Sequence, residues 1–173
     1  MILSDKDIKH YLDEGSLSIE PLSDDTIREN GVDLRIGDEI MRFVYNNEPV
    51  DITDKNAVEK SYRKEKITDS FVVYPQERIL IKIHEKIKMP NNLIGMCNVR
   101  STFARLGLSI PPTIVDAGYE GNLTIMLIGG NVPVKVQKMM RFLHLVFSKT
   151  LSDVEKPYAG HYNKSSSVTG AKI

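Results

Sequence analysis

The sequence of 173 residues has no tryptophan, one cysteine and no excess of charge of either sign. The lone Cys97 excludes an internal disulfide and a cysteine-rich zinc site, so we expect it to be a small buried hydrophobic residue. The 23 basic and 23 acidic residues cancel, which removes the usual electrostatic argument for binding duplex nucleic acid or a membrane surface. A net charge of zero is nevertheless compatible with a local basic pocket that binds an anion.

Long apolar stretches are missing as well. No segment approaches the roughly 20 apolar residues of a membrane-spanning helix, and Ser4, Asp5 and Lys6 make the start of the chain polar, unlike a signal peptide. Hydrophobic residues make up 41% and charged residues 27%, which is typical of a folded globular protein. We therefore expect a cytoplasmic enzyme or binding protein, one domain over residues 1–173, without nucleic-acid or membrane partners.

Helical patterns are short and confined to the start of the chain. Ser4 begins a capping-box pattern that predicts an amphipathic helix ending near Glu14. A second helical turn is predicted over Asp24–Glu29, which is followed by an Asn-Gly pair.

Short strand patterns dominate the rest of the chain. Apolar and charged residues alternate over 32–36, which predicts a half-buried strand that ends in a turn at Gly37–Asp38. The charge-rich stretch 51–70 is expected to be a solvated excursion. Many short strands separated by Gly and Pro favour a mainly β fold, a sandwich, jelly roll or distorted barrel, over an alternating α/β fold. The further strands are predicted at Phe71–Tyr74, Arg78–Ile83, Leu93–Val99, Leu123–Ile128, Val132–Val136 and Phe142–Phe147.

Several standard catalytic motifs are absent. The sequence has no GxxxxGK[ST] loop, no GxGxxG after a strand and no HExxH. Its four histidines are scattered, and His144 lies between two leucines of a predicted strand, which favours a structural role. A zinc-dependent hydrolytic or deaminating site is disfavoured because zinc needs about three protein ligands.

The segment Arg100–Leu108 carries groups that suit a polyphosphate. It places two guanidinium groups and two hydroxyls directly after an apolar strand. If Thr102 to Leu106 form a helical turn, unpaired backbone N–H groups lie beside Arg100, and dipoles, hydroxyls and Arg forks together bind phosphate oxygens. A simple strand-to-helix turn with surface arginines explains the spacing equally well.

The segment Thr113–Leu127 reads as a hairpin with a functional carboxylate. Asp116 follows an apolar pair, and Gly118 and Gly121 flank Tyr119. An aspartate at such a turn can orient a water or bind a sugar hydroxyl. Taken alone, the pattern is better explained by a β-turn that uses Asp and Gly for backbone reasons.

These segments together resemble the dUTPase / dCTP deaminase superfamily. The resemblance implies a homotrimer whose subunits each fold as a distorted β-barrel or jelly roll, the dUTPase-like β-clip. In the stretch Met140–Leu145, His144 occupies a position at which members of this superfamily commonly have glutamine. The resemblance covers most of the chain and rests on Met1–Asp5, Asn30–Arg35, Arg100–Arg105, Val115–Gly121 and Met140–Leu145.

The resemblance also implies roles for individual residues. Asp33 would help to hold Mg²⁺ on the triphosphate through water. Asp116, in the hairpin segment that starts at Thr113, would contact the 3′-hydroxyl of the deoxyribose, and Tyr119 would exclude a 2′-hydroxyl. A neighbouring subunit would donate the residues of the phosphate motif, which are Arg100, Ser101, Thr102, Phe103, Ala104 and Arg105.

One departure from the family pattern bears on the reaction. The dCTP deaminases that the chain resembles carry a glutamate five residues after the second glycine of the hairpin, where it shuttles protons. Here the residue five places after Gly121 is Met126. A thioether has no titratable proton, so it cannot act as a general acid or base. Monofunctional dUTPases resemble this chain in having an apolar residue at that place.

The tail, residues 157–173, is small and polar, and we expect it to be a flexible lid over the nucleotide. Tyr158 resembles the tyrosine of the deaminase branch, but His161 and Ser165 occupy the places of its lysine and glutamine. The serine-rich run that follows is closer in character to the fifth motif of dUTPases. Tyr158, His161 and Ser165 are the candidate substrate contacts of the tail.

The sequence therefore favours a dUTP diphosphatase of pyrimidine deoxynucleotide metabolism, which releases dUMP and pyrophosphate with Mg²⁺ as cofactor. Asp116 would position the attacking water, while Ser101 and Arg105 would stabilise charge on the phosphates. One alternative is a dCTP deaminase, alone or as part of a bifunctional enzyme, that uses Asp33, Glu120 or a water relay. Another alternative is a non-catalytic protein that binds deoxyuridine nucleotides.

Overall fold

The structure, a computed structural model, describes residues 1–173 as three short helices and thirteen strands. The helices are α1 (Asp5–Asp13), α2 (Lys55–Lys60) and α3 (Ser101–Arg105). The strands are β1 (Ser18–Glu20), β2 (Ile27–Arg28), β3 (Gly31–Phe43), β4 (Tyr62–Lys66), β5 (Ser70–Val73), β6 (Arg78–Ile83), β7 (Lys86–Lys88), β8 (Leu93–Val99), β9 (Thr113–Val115), β10 (Glu120–Gly121), β11 (Thr124–Ile128), β12 (Val134–Gln137) and β13 (Arg141–Lys149). None of the helices is long and apolar enough to cross a membrane.

An antiparallel sheet in the order β11-β6-β3-β13-β8-β9 forms the body of the molecule. The long strand β3 joins its two halves, because β3 pairs with β13 near its start and with β6 and β4 further on. Smaller sheets, β1-β7-β10 and β12-β5, complete the fold. The predicted mainly β architecture with short helices is confirmed.

The hydrophobic core lies between these strands. Thirty buried residues form one cluster, and β13 contributes Phe142, Leu143, Leu145 and Phe147, all without exposed surface. Apolar side chains on alternate positions of β3 face this cluster. Burial of such side chains stabilises a fold by about 1.5–3 kcal/mol each, so the apolar alternation determines which face of each strand turns towards the core.

Most predicted elements are confirmed. The helix that Ser4 begins has a full capping box, in which the hydroxyl of Ser4 accepts from the amide of Asp7 and the carboxylate of Asp7 accepts from the amide of Ser4. Strands β6 and β8 have the predicted bounds, and the predicted helical turn after Arg100 forms as α3. The other strands predicted after residue 70 end within two residues of the observed bounds, whereas β3 continues to Phe43, well beyond its predicted end at residue 36.

Two local predictions near the start are wrong. Asp24–Glu29 is not helical, because Ile27 and Arg28 pair with the start of β3 in a tight hairpin. Gly37–Asp38 is not a turn, because β3 continues through it with a shift of register. Gly37 serves close packing instead: a Cβ there would lie 2.7 Å from the carbonyl oxygen of Lys82.

The charge-rich stretch 51–70 is more ordered than predicted. Asp54 caps α2, and β4 pairs with Glu39–Phe43 of β3. Charged side chains of β4 form ion pairs with side chains of β3, as between Lys64 and Glu39 at 2.8 Å. Solvated strands of this kind lack the alternation of apolar and polar residues by which a strand is recognised in a sequence.

Candidate functional site

The hairpin segment, residues 113–127, presents Asp116 directly after β9. It does not form the predicted paired hairpin, because β9 pairs with β8 and β11 pairs with β6. Strand β9 ends at Val115, the side chain of Asp116 is exposed, and the amide of Tyr119 donates to the carbonyl of Asp116 at 3.1 Å. Gly118 has φ +81°, a conformation that side chains rarely adopt. The tight turn therefore requires glycine and fixes Asp116 at the end of the strand.

Tyr119 is fixed within the same hairpin segment. The residue is 6% exposed, and its hydroxyl donates to the carbonyl of Asn122 at 3.1 Å. Burial, and to a smaller extent the nearby Tyr158, raises the pKa of the Tyr119 phenol. The side-chain amide of Asn122 donates to the carbonyl of Glu85 at 3.0 Å, which anchors the hairpin to the loop after β6. Tyr119 is thus a rigid, neutral wall rather than an acid or base.

A cavity of about 450 Å³ opens beside the hairpin segment. Asp116 is the only carboxylate among its lining residues, and no histidine lines it. Most of the wall is apolar or aromatic. The lining residues include Phe43, Tyr62, Leu80, Thr113, Asp116, Tyr119, Met126, Tyr158, Tyr162, Ser165, Thr169, Gly170 and Ala171.

Met126 lies in the wall of this cavity. It is in β11, where its Cα pairs with that of Leu80 in β6, and both residues line the cavity. Phe43 and Tyr62 add aromatic rings to the same lining. The place that the family pattern gives to a glutamate is therefore a chemically inert part of the cavity surface.

The tail forms another wall of the same cavity within one chain. The amide of Tyr158 donates to the carbonyl of Ala117 at 2.9 Å, and its ring centroid lies 5.9 Å from that of Tyr119. Further along, the carbonyl of Ser165 accepts from the backbone amide of Asn122 at 2.7 Å. Tyr158 and Ser165 line the cavity, whereas His161 lies in a separate groove with Lys55 and Glu59.

The phosphate segment lies apart from this cavity. Phe103 packs in the core with its ring centroid 6.2 Å from that of Phe142, while Ser101, Thr102, Ala104 and Arg105 are exposed on α3. None of the residues Arg100–Arg105 lines the cavity. One chain thus brings Thr113, Asp116, Tyr119, Tyr158 and Ser165 together and leaves the phosphate segment on another surface.

Asp33 is buried in a cluster of cationic groups. It is 2% exposed, with Oδ2 at 3.0 Å from Nε of Arg100 and 3.5 Å from a terminal nitrogen of Arg141, and Oδ1 at 2.9 Å from Nδ1 of His144. Burial alone would raise the pKa of Asp33, but the hydrogen bond with His144 and the charge of Arg100 lower it below its ordinary value.

This cluster does not suit a magnesium site. Both oxygens of Asp33 already have cationic or hydrogen-bonding partners, and Mg²⁺ requires free oxygen ligands or waters bound to them. No group of three His, Cys, Asp or Glu side chains is arranged to hold a metal ion. The residues of this chain therefore do not fit a role for Asp33 as a magnesium partner.

Three further polar residues were not singled out by their sequence pattern. Glu85 has no exposed surface and binds Arg35, whose terminal nitrogen lies 2.9 Å from its carboxylate. Asn122 ties the hairpin to the body, and Glu39 binds the tail. The alternation over 32–36 predicts that Arg35 faces solvent, so no signal in the sequence indicated this buried ion pair, in which Arg35 is only 8% exposed. Asn122 and Glu39 gave no signal either.

Sequence comparisons connect this chain to two enzyme names. A family model described as dCTP deaminase-like matches residues 2–150. A protein of Sulfolobus islandicus rod-shaped virus 1, named as a probable deoxyuridine 5′-triphosphate nucleotidohydrolase, is 53% identical over 99% of this chain and 99% of its own length. A dCTP deaminase of Acidianus ambivalens is 49% identical over 100% of this chain and 98% of its own.

Solved structures share the fold at low sequence identity. The 2′-deoxycytidine 5′-triphosphate deaminase of Agrobacterium tumefaciens has a TM-score of 0.68 at 19% identity, over 86% of this chain, which spans 48% of that longer one. A dUTPase mutant of Staphylococcus bacteriophage 80alpha with dUpNHpp has a TM-score of 0.51 at 17% identity, over 83% of this chain and 96% of its own. A mutant dUTPase from phage phi11 of S. aureus, whose structure concerns a structural Mg(II) ion, has a TM-score of 0.51 at 17% identity, over 83% of this chain and 97% of its own.

Proposed function

The chain belongs to the dCTP deaminase-like family, and on that premise we propose that it is a dUTP diphosphatase, which converts dUTP and water to dUMP and pyrophosphate. The observation that carries the proposal is the position of Met126 in the cavity wall, together with Asp116 as the only lining carboxylate. Deamination needs one group to take a proton from water and return it to the leaving nitrogen, and methionine cannot do so. Hydrolysis of a phosphoanhydride does not need an acid at that place.

Asp116 positions the nucleophile in the proposed reaction. Its exposed carboxylate at the end of β9 accepts hydrogen bonds from a water and from the 3′-hydroxyl of the sugar. The water oxygen forms a bond to the α-phosphorus, and the bond from that phosphorus to the bridging oxygen breaks. Pyrophosphate leaves with the electron pair, and the water proton passes through the carboxylate to solvent.

Tyr119 and the tail complete the nucleoside pocket. The fixed ring of Tyr119 excludes a 2′-hydroxyl, because it is buried and its hydroxyl is hydrogen-bonded to the carbonyl of Asn122. Tyr158 and Ser165 bound the pocket on the tail side. His161 faces another groove, so the proposal gives it no contact with the nucleotide.

The phosphates are bound by a neighbouring subunit of a homotrimer. Ser101, Thr102 and Arg105 are exposed on α3 and do not reach the cavity of their own chain, which supports a site shared between subunits. Arginine forks and helix N–H groups stabilise the charge that develops on the phosphates. In this proposal Mg²⁺ would bind together with the triphosphate, because the chain supplies no group of three ligands for it.

The reaction and the shared site can be tested together. Purified protein with dUTP and Mg²⁺ should release pyrophosphate, and a heat-denatured sample should not. The variants Asp116→Asn and Arg105→Ala should each be inactive, but a refolded equal mixture should regain about a quarter of the activity if hairpin and α3 come from different subunits. Absence of release from the wild type would reject the function, and absence of rescue would reject the shared site.

A dCTP deaminase is the second candidate, because relatives as similar as the Acidianus ambivalens protein carry that name. It would need a substitute for the missing glutamate. Neither Asp33 nor Glu120 lines the cavity; Asp33 binds Arg100, and Glu120 forms an ion pair with Lys86. Asp116 with a water relay is then the remaining route, and ammonia release from dCTP is the assay that detects it.

A further inference from the structure

We infer that Glu39 is a positioning residue that anchors the tail over the cavity, and that this anchor sets the affinity for the nucleotide. Glu39 lies in β3, on the half of the sheet that β4 flanks, and it contacts residues more than 120 positions away in sequence. The part of the inference that concerns nucleotide affinity rests on the proposed function, whereas the anchoring contact is independent of it.

The carboxylate of Glu39 is fully engaged by the tail and by one lysine. One oxygen lies 2.8 Å from Nζ of Lys64. The other oxygen accepts from the hydroxyl of Ser167 at 2.7 Å and from the amide of Val168 at 2.9 Å. Charge-assisted hydrogen bonds of this kind are roughly twice as strong as neutral ones, and the side chain of Glu39 is only 20% exposed.

The anchored residue is the buried point of the tail. Val168 is 3% exposed, and it is the only buried residue of the segment 157–173. Burial of the apolar side chain stabilises the contact through the surface removed from water, and the charge-assisted hydrogen bond adds a constraint on its direction. This combination fixes the tail at one register, which hydrogen bonds along an exposed segment alone would not do.

The residues that follow the anchor form part of the cavity wall. The amide of Thr169 donates to the hydroxyl of Thr124 at 3.1 Å, and Thr169, Gly170 and Ala171 line the cavity. Gly170 packs on the ring of Tyr62, where a Cβ would lie 2.7 Å from a ring carbon. Release of Val168 from Glu39 would therefore move this wall and open the pocket on the side of the tail.

Hydrogen exchange in the free protein tests the anchor without reference to activity. In Glu39→Ala, the amides of Val168 and Thr169 should exchange at least about tenfold faster than in the wild type, while amides of β8 should not change. Glu39→Gln keeps an acceptor oxygen but loses the charge, so its effect should be intermediate. Asp38→Asn is the matched control, because the neighbouring Asp38 pairs with Lys82 and not with the tail.

Kinetics test the positioning role. Glu39→Ala should raise KM for dUTP about tenfold with a smaller change in kcat, and Asp38→Asn should leave both unchanged. If Glu39→Ala disturbs β8 exchange, Ser167→Ala replaces it, since that change removes one contact of Glu39 without altering β3. Unchanged exchange at Val168 and Thr169 would overturn the anchor. Faster exchange with an unchanged KM would overturn the positioning role, and inactivity of the wild type towards dUTP would count against the proposed function alone.

Discussion

Oδ2 of Asp33 lies 3.0 Å from Nε of Arg100, so the buried start of β3 holds the first residue of the phosphate segment. Arg141 and His144 of β13 approach the same carboxylate, which places one anion among three basic side chains. This geometry gives Asp33 a structural role, because it orients Arg100 at the start of α3 and leaves no free oxygen for a metal ion.

Replacement of Asp33 by asparagine should destabilise the protein strongly. The variant keeps the shape of the side chain but removes the counter-charge of Arg100, whereas Arg141 keeps Asp25 at 3.3 Å. Loss of charged hydrogen bonds of this kind costs about 1.5–3 kcal/mol. Urea unfolding measures the loss. Glu29→Gln is the control, because the Glu29 side chain is 80% exposed and its 3.7 Å contact with Arg28 should contribute almost nothing. Equal stability of the two variants would contradict the role of the cluster.

Most of the strands and the candidate residues that line the cavity were predictable from the sequence, whereas the partners of Asp33 were not. Strands β6 and β8 are runs of apolar residues between breakers, and their bounds follow from the sequence alone. The turn predicted at Gly37 was wrong because glycine marks close strand packing as well as turns. The partners of Asp33 depend on the register between β3 and β13, in which His144 lies opposite Asp33. Such a register is set by the whole core and leaves no local signal.

Removal of the charge at Asp116 should abolish catalysis and leave stability unchanged. Asp116→Asn should lower kcat for dUTP by about 10²–10⁴-fold, the usual contribution of a general base. Its side chain is exposed, so the free energy of unfolding should stay within about 0.5 kcal/mol of the wild type. Glu120→Gln, which alters the next carboxylate along the hairpin segment and outside the cavity, is the matched control for the assay. Comparable losses in both variants would argue against a specific role for Asp116.

Introduction of a carboxylate at Met126 should increase the release of ammonia from dCTP. Met126→Glu places a titratable group in the cavity wall, and ammonia release from dCTP should rise above that of the wild type. Met126→Gln has nearly the same size but no titratable proton, so it should not show this gain. A gain in both variants would mean that polarity, not proton transfer, limits the deamination.

The buried thiol of Cys97 should make stability depend on alkaline pH. Burial raises the pKa of Cys97 to about 12, whereas an unfolded cysteine titrates near about 8.5. The neutral thiol therefore stabilises the folded state below about pH 8.5, and this contribution is lost as the pH rises towards about 12. Between about pH 7.5 and pH 9.5 the free energy of unfolding should fall by about 1 kcal/mol through this group.

Comparison with Cys97→Ala isolates the thiol from the other groups that titrate at alkaline pH. The difference in unfolding free energy between the wild type and the variant should shrink by about 1 kcal/mol from about pH 7.5 to about pH 9.5. A difference that stays constant over this range would show that the thiol is not protected in the folded protein.

The most direct test of the proposed reaction measures both products from both substrates. Initial rates of pyrophosphate and ammonia release are recorded for dUTP and dCTP at equal concentrations with Mg²⁺. Because Met126 provides no proton shuttle, we expect pyrophosphate from dUTP and at most a trace of ammonia from dCTP. Ammonia release from dCTP at a rate equal to or above that of pyrophosphate from dUTP would contradict the account.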